Sequence, residues 1–375
     1  MKKQVISFPH MGDYHVPIRG LLQNLFPHFE IRPAPPITKK TSTIGARFSP
    51  EFICEPFKYN LGNYIEALEN GATILLQTGT GCRYGYYSKL QEEILKNLGY
   101  EFTFLHLSRK NAYPLAAYKM LKSAGMQCGF FKAGLTALKT MQCISIMDKY
   151  ADILRKHQWY LEKESTHRLF YHTLLQELEN IETQKDIFHL GRQYRKMKAQ
   201  GTTTKQAPIK VGIIGDLYTV MEPFANKGVE AFLSNRNIEI HRKMSVRFLL
   251  SPKIRGNIAR KSKGYLQQHI GANATDSIIQ SLNYAKEGLD GIIQLKAFGC
   301  TPELNASPIL QKISADFDIP ILQLSFDTHQ STVGLETRLE AFCDILEMRK
   351  VTKDEKETKP WHRHRFHFHK SRPTG

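Results

Sequence analysis

No run of about 18 apolar residues occurs in the 375-residue chain, so no membrane-spanning helix is expected. Met1-Lys2-Lys3-Gln4 leads into an apolar stretch that stops at Pro9 and His10, too short for the core of a signal peptide. The six cysteines show no regular spacing and no tight Cys-x-x-Cys pair, which argues against a disulfide-stapled domain and against an ordinary structural zinc site. No glycine-rich loop ends in Gly-Lys-Ser/Thr: Gly212-Ile213-Ile214-Gly215 lacks that ending, so no phosphate-loop nucleotide site is expected. Negative charge is also scarce, with 35 Asp and Glu against 52 Lys and Arg. These absences point to a reducing cytoplasm, where cysteines at special positions are metal-binding or catalytic more often than bridged.

The net charge of +17 is concentrated in Arg349 to Gly375, Arg192 to Lys205 and Arg236 to Lys263. It suits nucleic acid, an anionic surface or a polyanionic ligand, but also plain solvated loops. No nucleic-acid-binding motif and no interleaved aromatic–basic stripe accompanies it, so nucleic acid is not an expected partner.

The chain alternates strand and helix signals in two places. Val5 to Phe8, Ala72 to Gln77 and Glu101 to Leu105 read as short buried strands, with helices at Leu61 to Glu69 and Tyr87 to Leu98. Lys210 to Asp216, Ile238 to Ile240, Gly291 to Leu295 and Pro320 to Leu324 repeat the style, with helices near Gly228, from Asp276 to Glu287 and from Leu335 to Leu346. This is the pattern of doubly wound parallel sheets. Between the two, apolar residues recur at three- and four-residue steps from Leu135 to Leu154, with almost no Gly or Pro. The reading is α/β: two flavodoxin- or Rossmann-like parallel-sheet domains at residues 1–111 and 205–348, a helical connector at 112–204, and a basic tail at 349–375. The tail carries His362, His364, His367 and His369 and is expected to be disordered, with metal capture as the alternative. The halves share no fixed sequence period.

Three cysteines occupy places where such folds put chemistry. Cys82, in Gly79-Thr80-Gly81-Cys82-Arg83, and Cys300, in Phe298-Gly299-Cys300-Thr301-Pro302-Glu303, each follow a predicted strand, and ligands bind beyond the carboxyl ends of strands in open α/β sheets. Cys54, in Cys54-Glu55-Pro56-Phe57-Lys58, lies in a proline-flanked loop able to reach the same crevice. Three thiolates suit a zinc with an open position or a [4Fe–4S] cluster. Widely separated single ligands fit a cluster between domains better, and three ordinary buried thiols are the bland alternative. Cys128, Cys143 and Cys343 read as core thiols.

The same motifs resemble those of the 2-hydroxyacyl-CoA dehydratase family, in particular the D-component of 2-hydroxyglutaryl-CoA dehydratase. Gly81-Cys82-Arg83-Tyr84-Gly85-Tyr86-Tyr87, Val211 to Tyr218, Glu222 to Asn226, Leu322 to Asp327 and Gly334 to Arg338 look like the same family, over roughly residues 45 to 348. The resemblance implies flavodoxin-like domains around a [4Fe–4S] cluster bound by Cys54, Cys82 and Cys300, or a larger iron–sulfur cluster. It implies a low-potential electron from an ATP-dependent activator protein, an acyl-CoA substrate dehydrated through a ketyl radical, and a homologous second subunit or a homodimer. A Gly-His-Gly segment common in relatives stands here as Gly271-Ala272-Asn273. A non-catalytic electron carrier or cluster-bearing regulator of the same fold is the alternative, and no membrane partner is expected.

Glu303 and Arg83 are the candidate catalytic residues. Arg83 either donates to a cluster sulfur or a bound anion, or forms a surface ion pair. Glu222 and Glu303 read first as helix-capping carboxylates and second as proton-handling groups. Lys58 and Lys296 read first as solvated lysines and second as contacts to CoA phosphates. Asp327 and His329 follow another strand, and Asp216 reads as a turn residue.

Overall fold

The computed structural model describes residues 4–79, 82–108, 114–159, 166–179, 181, 184–199, 209–249, 264–266, 270–271, 273–327 and 332–358. The expectations for His329, Ala272 and the histidines of the tail lie outside these residues.

The first half runs β1 (Val5–Ser7), α1 (His15–Leu25), β2 (Glu30–Ile31), α2 (Lys39–Phe48), α3 (Glu55–Glu69), β3 (Ile74–Gly79), α4 (Tyr84–Asn97), β4 (Thr103–Ser108) and α5 (Pro114–Ser123). Three long helices follow: α6 (Phe130–His157), α7 (Thr166–Glu179) and α8 (Gln184–Ala199). The second half runs β5 (Lys210–Gly215), α9 (Leu217–Met221), α10 (Val229–Asn235), β6 (Glu239–Arg242), α11 (Val246–Leu249), α12 (Ala274–Lys286), β7 (Gly291–Ala297), α13 (Thr301–Phe317), β8 (Ile321–Phe326) and α14 (Thr332–Thr358).

Both sheets are four-stranded and parallel throughout, in the orders β2-β1-β3-β4 and β6-β5-β7-β8. The second repeats the topology of the first, although the sequence shows no period. β7 is buried at every position, as a central parallel strand covered on both faces must be. In each sheet the crossover direction reverses between the first and third strands, so the ligand-prone switch points lie between β1 and β3 and between β5 and β7.

Helices cover both faces of each sheet. Phe57, Leu61, Tyr64 and Leu95 pack on one side of the first sheet against Leu75 and Phe104. Ile6, Leu22, Phe26 and Met126 fill the other side, with Tyr118 and Leu121 of α5 packed against them. Thus α5, which follows the expected boundary at residue 111, packs on the first sheet. α6 to α8 are not a free-standing link: Met147, Tyr150, Leu174 and Leu190 share one core with Ile213 and Leu295 of the second sheet and Phe342 of α14. α14 also passes the expected boundary at residue 348 and runs to Thr358, because Lys353-Asp354-Glu355-Lys356-Glu357 contains no helix breaker. Among the described residues no helix is long and apolar enough to cross a membrane.

Candidate functional site

Three cysteines each introduce a helix. Cys54 is the N-cap of α3, Cys300 is the N-cap of α13, and Cys82 immediately precedes Arg83, the N-cap of α4. Pro56 and Pro302 sit in the first turns of α3 and α13, where a missing N–H costs nothing. Unpaired amides at a helix start present partial positive charge, which favours anionic sulfur. The Tyr84 amide donates to Cys82 Sγ at 3.4 Å. The amides of Phe57 and Glu303 favour the thiolates of Cys54 and Cys300 in the same way, though neither thiol closes a full N-cap hydrogen bond.

The thiols also share one electrostatic neighbourhood. Burial pushes Cys54 up to about 11, and the charges of Asp216 and Cys82 add to the rise. Burial raises Cys300 further, helped by Asp216, Glu303 and Cys54. Cys82 is exposed; burial of its sulfur and Asp216 raise its pKa, while the Tyr84 amide and the Arg83 guanidinium oppose them. Cys54 is therefore in electrostatic range of Cys82 and of Cys300, and the Asp216 charge acts on all three thiols. The Tyr87 hydroxyl lies 2.8 Å from Cys54 Sγ, and its ring packs edge-on to Phe57. Tyr84 accepts from Asn60 Nδ2 at 2.7 Å and stands beside both Cys54 and Cys82.

Asp216 is fixed at the β5/β7 switch point. It caps α9 by accepting from the Thr219 amide at 3.0 Å, and it accepts from the Ala297 amide at 2.7 Å across the switch. The preceding Gly215 has φ +142°, and a Cβ there would stand 1.7 Å from the Leu295 carbonyl oxygen, so only glycine fits this turn. Burial raises the pKa of the Asp216 carboxyl. Asp216, read from the sequence as a turn residue, is instead a helix N-cap, and its electrostatic reach to all three thiols is what the sequence did not reveal. The one available signal was its position directly after a strand, matching Cys82 and Cys300.

The other candidates separate. Arg83 Nη2 donates to Thr301 Oγ1 at 2.9 Å, joining the residues that follow Cys82 and Cys300. Its partner is a hydroxyl rather than the carboxylate of a surface ion pair. Glu303 is 1 % exposed and accepts from Ser277 Oγ at 2.9 Å and Gln294 Nε2 at 2.7 Å. Burial pushes its carboxyl up to about 7, with Asp216 adding to the rise. Lys296 is 5 % exposed, with Nζ on Ser307 Oγ at 3.2 Å, and Lys58 pairs with buried Glu55 at 2.7 Å. Neither is the solvated lysine expected, because one lies on the central strand β7 and the other under α2.

Glu222 sits in the interface between the halves. Its carboxylate accepts from the Gly12 amide at 2.8 Å and the Phe224 amide at 3.1 Å, and lies 3.3 Å from His10 Nδ1. Burial acts to raise its pKa, but these donors outweigh it and hold the carboxyl below its ordinary value. Tyr218 donates to the His10 carbonyl at 3.0 Å. Asp327 adds negative charge near Tyr59 and Lys227. Cys143 and Cys343 are buried core thiols, as expected, while Cys128 is half-buried against the first core.

Among the described residues no three His, Cys, Asp or Glu side chains are grouped so as to hold a metal ion. The chain matches no protein-family model and none of the curated proteins.

Proposed function

We propose that this is an iron–sulfur protein whose Cys54, Cys82 and Cys300 hold a [4Fe–4S] cluster between two parallel-sheet domains, working as a component of a radical acyl-CoA dehydratase or as a related reductase. The observation that carries the reading is that three helices each begin at or beside a cysteine and that one buried charge, Asp216, acts on all three thiols. Sulfur donors around a cubane stand farther apart than donors around a single ion, so the lack of a tight mononuclear group does not weigh against it. Burial and the Asp216 charge oppose free thiolates here. A cationic inorganic core would reverse that balance, since bound metal deprotonates its thiols outright.

Such a cluster would supply one-electron chemistry at low potential and, with three protein ligands, one exchangeable iron position. The chain's own residues do the rest. Helix-start amides favour anionic sulfur, and the Tyr87 hydroxyl stands against Cys54. Arg83 places positive charge at the exposed Cys82 and ties it to the opposite domain through Thr301. Glu303, buried one helical turn after Cys300 and held by Ser277 and Gln294, is a proton-holding carboxyl and a positioning residue. An ATP-dependent activator as electron donor, a second homologous subunit and an acyl-CoA substrate belong to this same reading.

The test is anaerobic reconstitution with iron and sulfide. The wild-type chain should develop charge-transfer absorbance near about 400 nm, typical of iron–sulfur ligation, and a Cys82→Ala variant of equal helix content should lose it. A colourless wild type, or equal colour in the variant, would overturn the assignment. Turnover of an acyl-CoA with activator and ATP then separates enzyme from carrier.

A further inference from the structure

The surface formed by α5 and the first half of α6 is independent of the cysteine seam. Between Glu101 and Asp148 the chain has no acidic residue, while Arg109, Lys110, Lys119, Lys122, Lys132 and Lys139 all fall there. In the same stretch Leu115 is 56 % exposed, Phe130 41 %, Phe131 85 %, Leu135 61 % and Leu138 63 %. Phe131, Leu135 and Leu138 follow the i, i+4, i+7 spacing and share one face of α6. α5 buries no residue fully, and α6 buries none before Cys143. The stretch thus carries an exposed apolar ridge together with basic residues and no acid of its own, on a chain of net charge +17.

We propose that this face docks on an anionic lipid surface, with Phe131, Leu135 and Leu138 entering the headgroup layer and Lys119, Lys122 and Lys132 meeting lipid phosphates. Exposed apolar side chains flanked by lysines are the composition of interfacial helices. A symmetric contact with a second copy would press two basic stretches together, and neither α5 nor the first half of α6 brings an acid to pair with them. Nucleic acid would have to lay its phosphates over the apolar ridge, which desolvates charge without pairing it. Protein interfaces fix register with complementary groups of both signs. The charges that α5 and the first half of α6 bring to this face are of one sign only, which suits a laterally uniform charged layer. The missing transmembrane span bears on crossing a bilayer, not on lying against one.

The full chain is sedimented with phosphatidylcholine vesicles and with vesicles holding about 30 % phosphatidylserine, in low and high salt. A Phe131→Gln/Leu135→Gln/Leu138→Gln variant keeps every charge, so binding through the basic tail alone would survive in it. The expected result is binding to the anionic vesicles at least about tenfold stronger than to neutral ones, weakened by salt, and reduced about tenfold in the variant. Hydrogen exchange on the unaltered chain gives a readout that needs no variant: amides at 130–142 should slow when anionic vesicles are added. No binding to anionic vesicles, equal binding to both, full binding by the glutamine variant, or unchanged exchange at 130–142 would overturn the proposal.

Discussion

The Arg83 guanidinium donates to the Thr301 hydroxyl at 2.9 Å, and each of these residues directly follows a cysteine, Cys82 in the first half and Cys300 in the second. The bond closes the seam between the halves next to two of the three thiols. It also leaves a positive charge beside the one exposed cysteine among the six.

Arg83→Gln should change reactivity more than folding. The bond is exposed and contributes less than about 1 kcal/mol. Its removal takes away a group that opposes the burial-driven rise of the Cys82 pKa. In metal-free protein Cys82 should be the first thiol alkylated by iodoacetamide, and the substitution should slow that step by about two- to fivefold. Peptide mass spectrometry over time checks both the site and the rate.

Glu222 should hold the two halves together. Glu222→Ala leaves the Gly12 and Phe224 amides without their acceptor in a buried interface and should cost about 2–4 kcal/mol in urea denaturation. Because the folded carboxyl titrates below its ordinary value of 4.5, its contribution is complete above that value. It is lost as pH falls through the lower folded pKa. Glu222→Gln should therefore flatten the acid limb of the stability curve, measured by urea midpoints from neutral pH down to about pH 3.

Glu303 should show the opposite sign. Its folded pKa is raised from 4.5 to about 7 by burial, so the folded chain keeps a proton that the unfolded chain has released. Stability then falls as pH rises between those two values, by at most about 3 kcal/mol. Metal-free Glu303→Gln should lack this slope and gain on the wild type at pH 8 relative to pH 5. Parallel slopes in the two proteins would place the ionised carboxylate in a better-solvated setting than the one described.

Gly215→Ala should prevent the second domain from folding normally. A methyl group there meets the Leu295 carbonyl oxygen at 1.7 Å on a residue with φ +142°, a clash costing about 3 kcal/mol or more. Low soluble yield and early thermal unfolding by circular dichroism are the expected result.

Most strands were legible because parallel strands are short apolar runs bounded by turn residues. β3, β5, β7 and β8 fall within two or three residues of their expected limits. α13 was hidden because Pro302 and Pro308 interrupt its pattern: one sits harmlessly in its first turn and the other is tolerated inside it. Cys82 and Cys300 were legible as residues that follow strands, and Cys54 as part of a proline-flanked loop. Their common neighbour Asp216, the Tyr87 contact to Cys54 and the Glu222 link to Gly12 were not. The Asp216 and Glu222 pairings are set by how the two halves meet, at separations such as the 210 residues between Gly12 and Glu222, and the Tyr87 contact by how α4 packs on the start of α3, where local periodicity carries no signal. Lys296 was misjudged because a charged residue on a strand reads as a solvent-facing position unless the strand is known to be central.

The most direct test of the central claim is an iron and acid-labile sulfide count on the anaerobically reconstituted wild-type chain, beside a Cys54→Ala/Cys82→Ala/Cys300→Ala variant. The account predicts about four iron and four sulfide per wild-type chain, or more for a larger cluster, and close to none in the variant. A wild-type chain that takes up no iron, or a triple variant that retains it, would contradict the account.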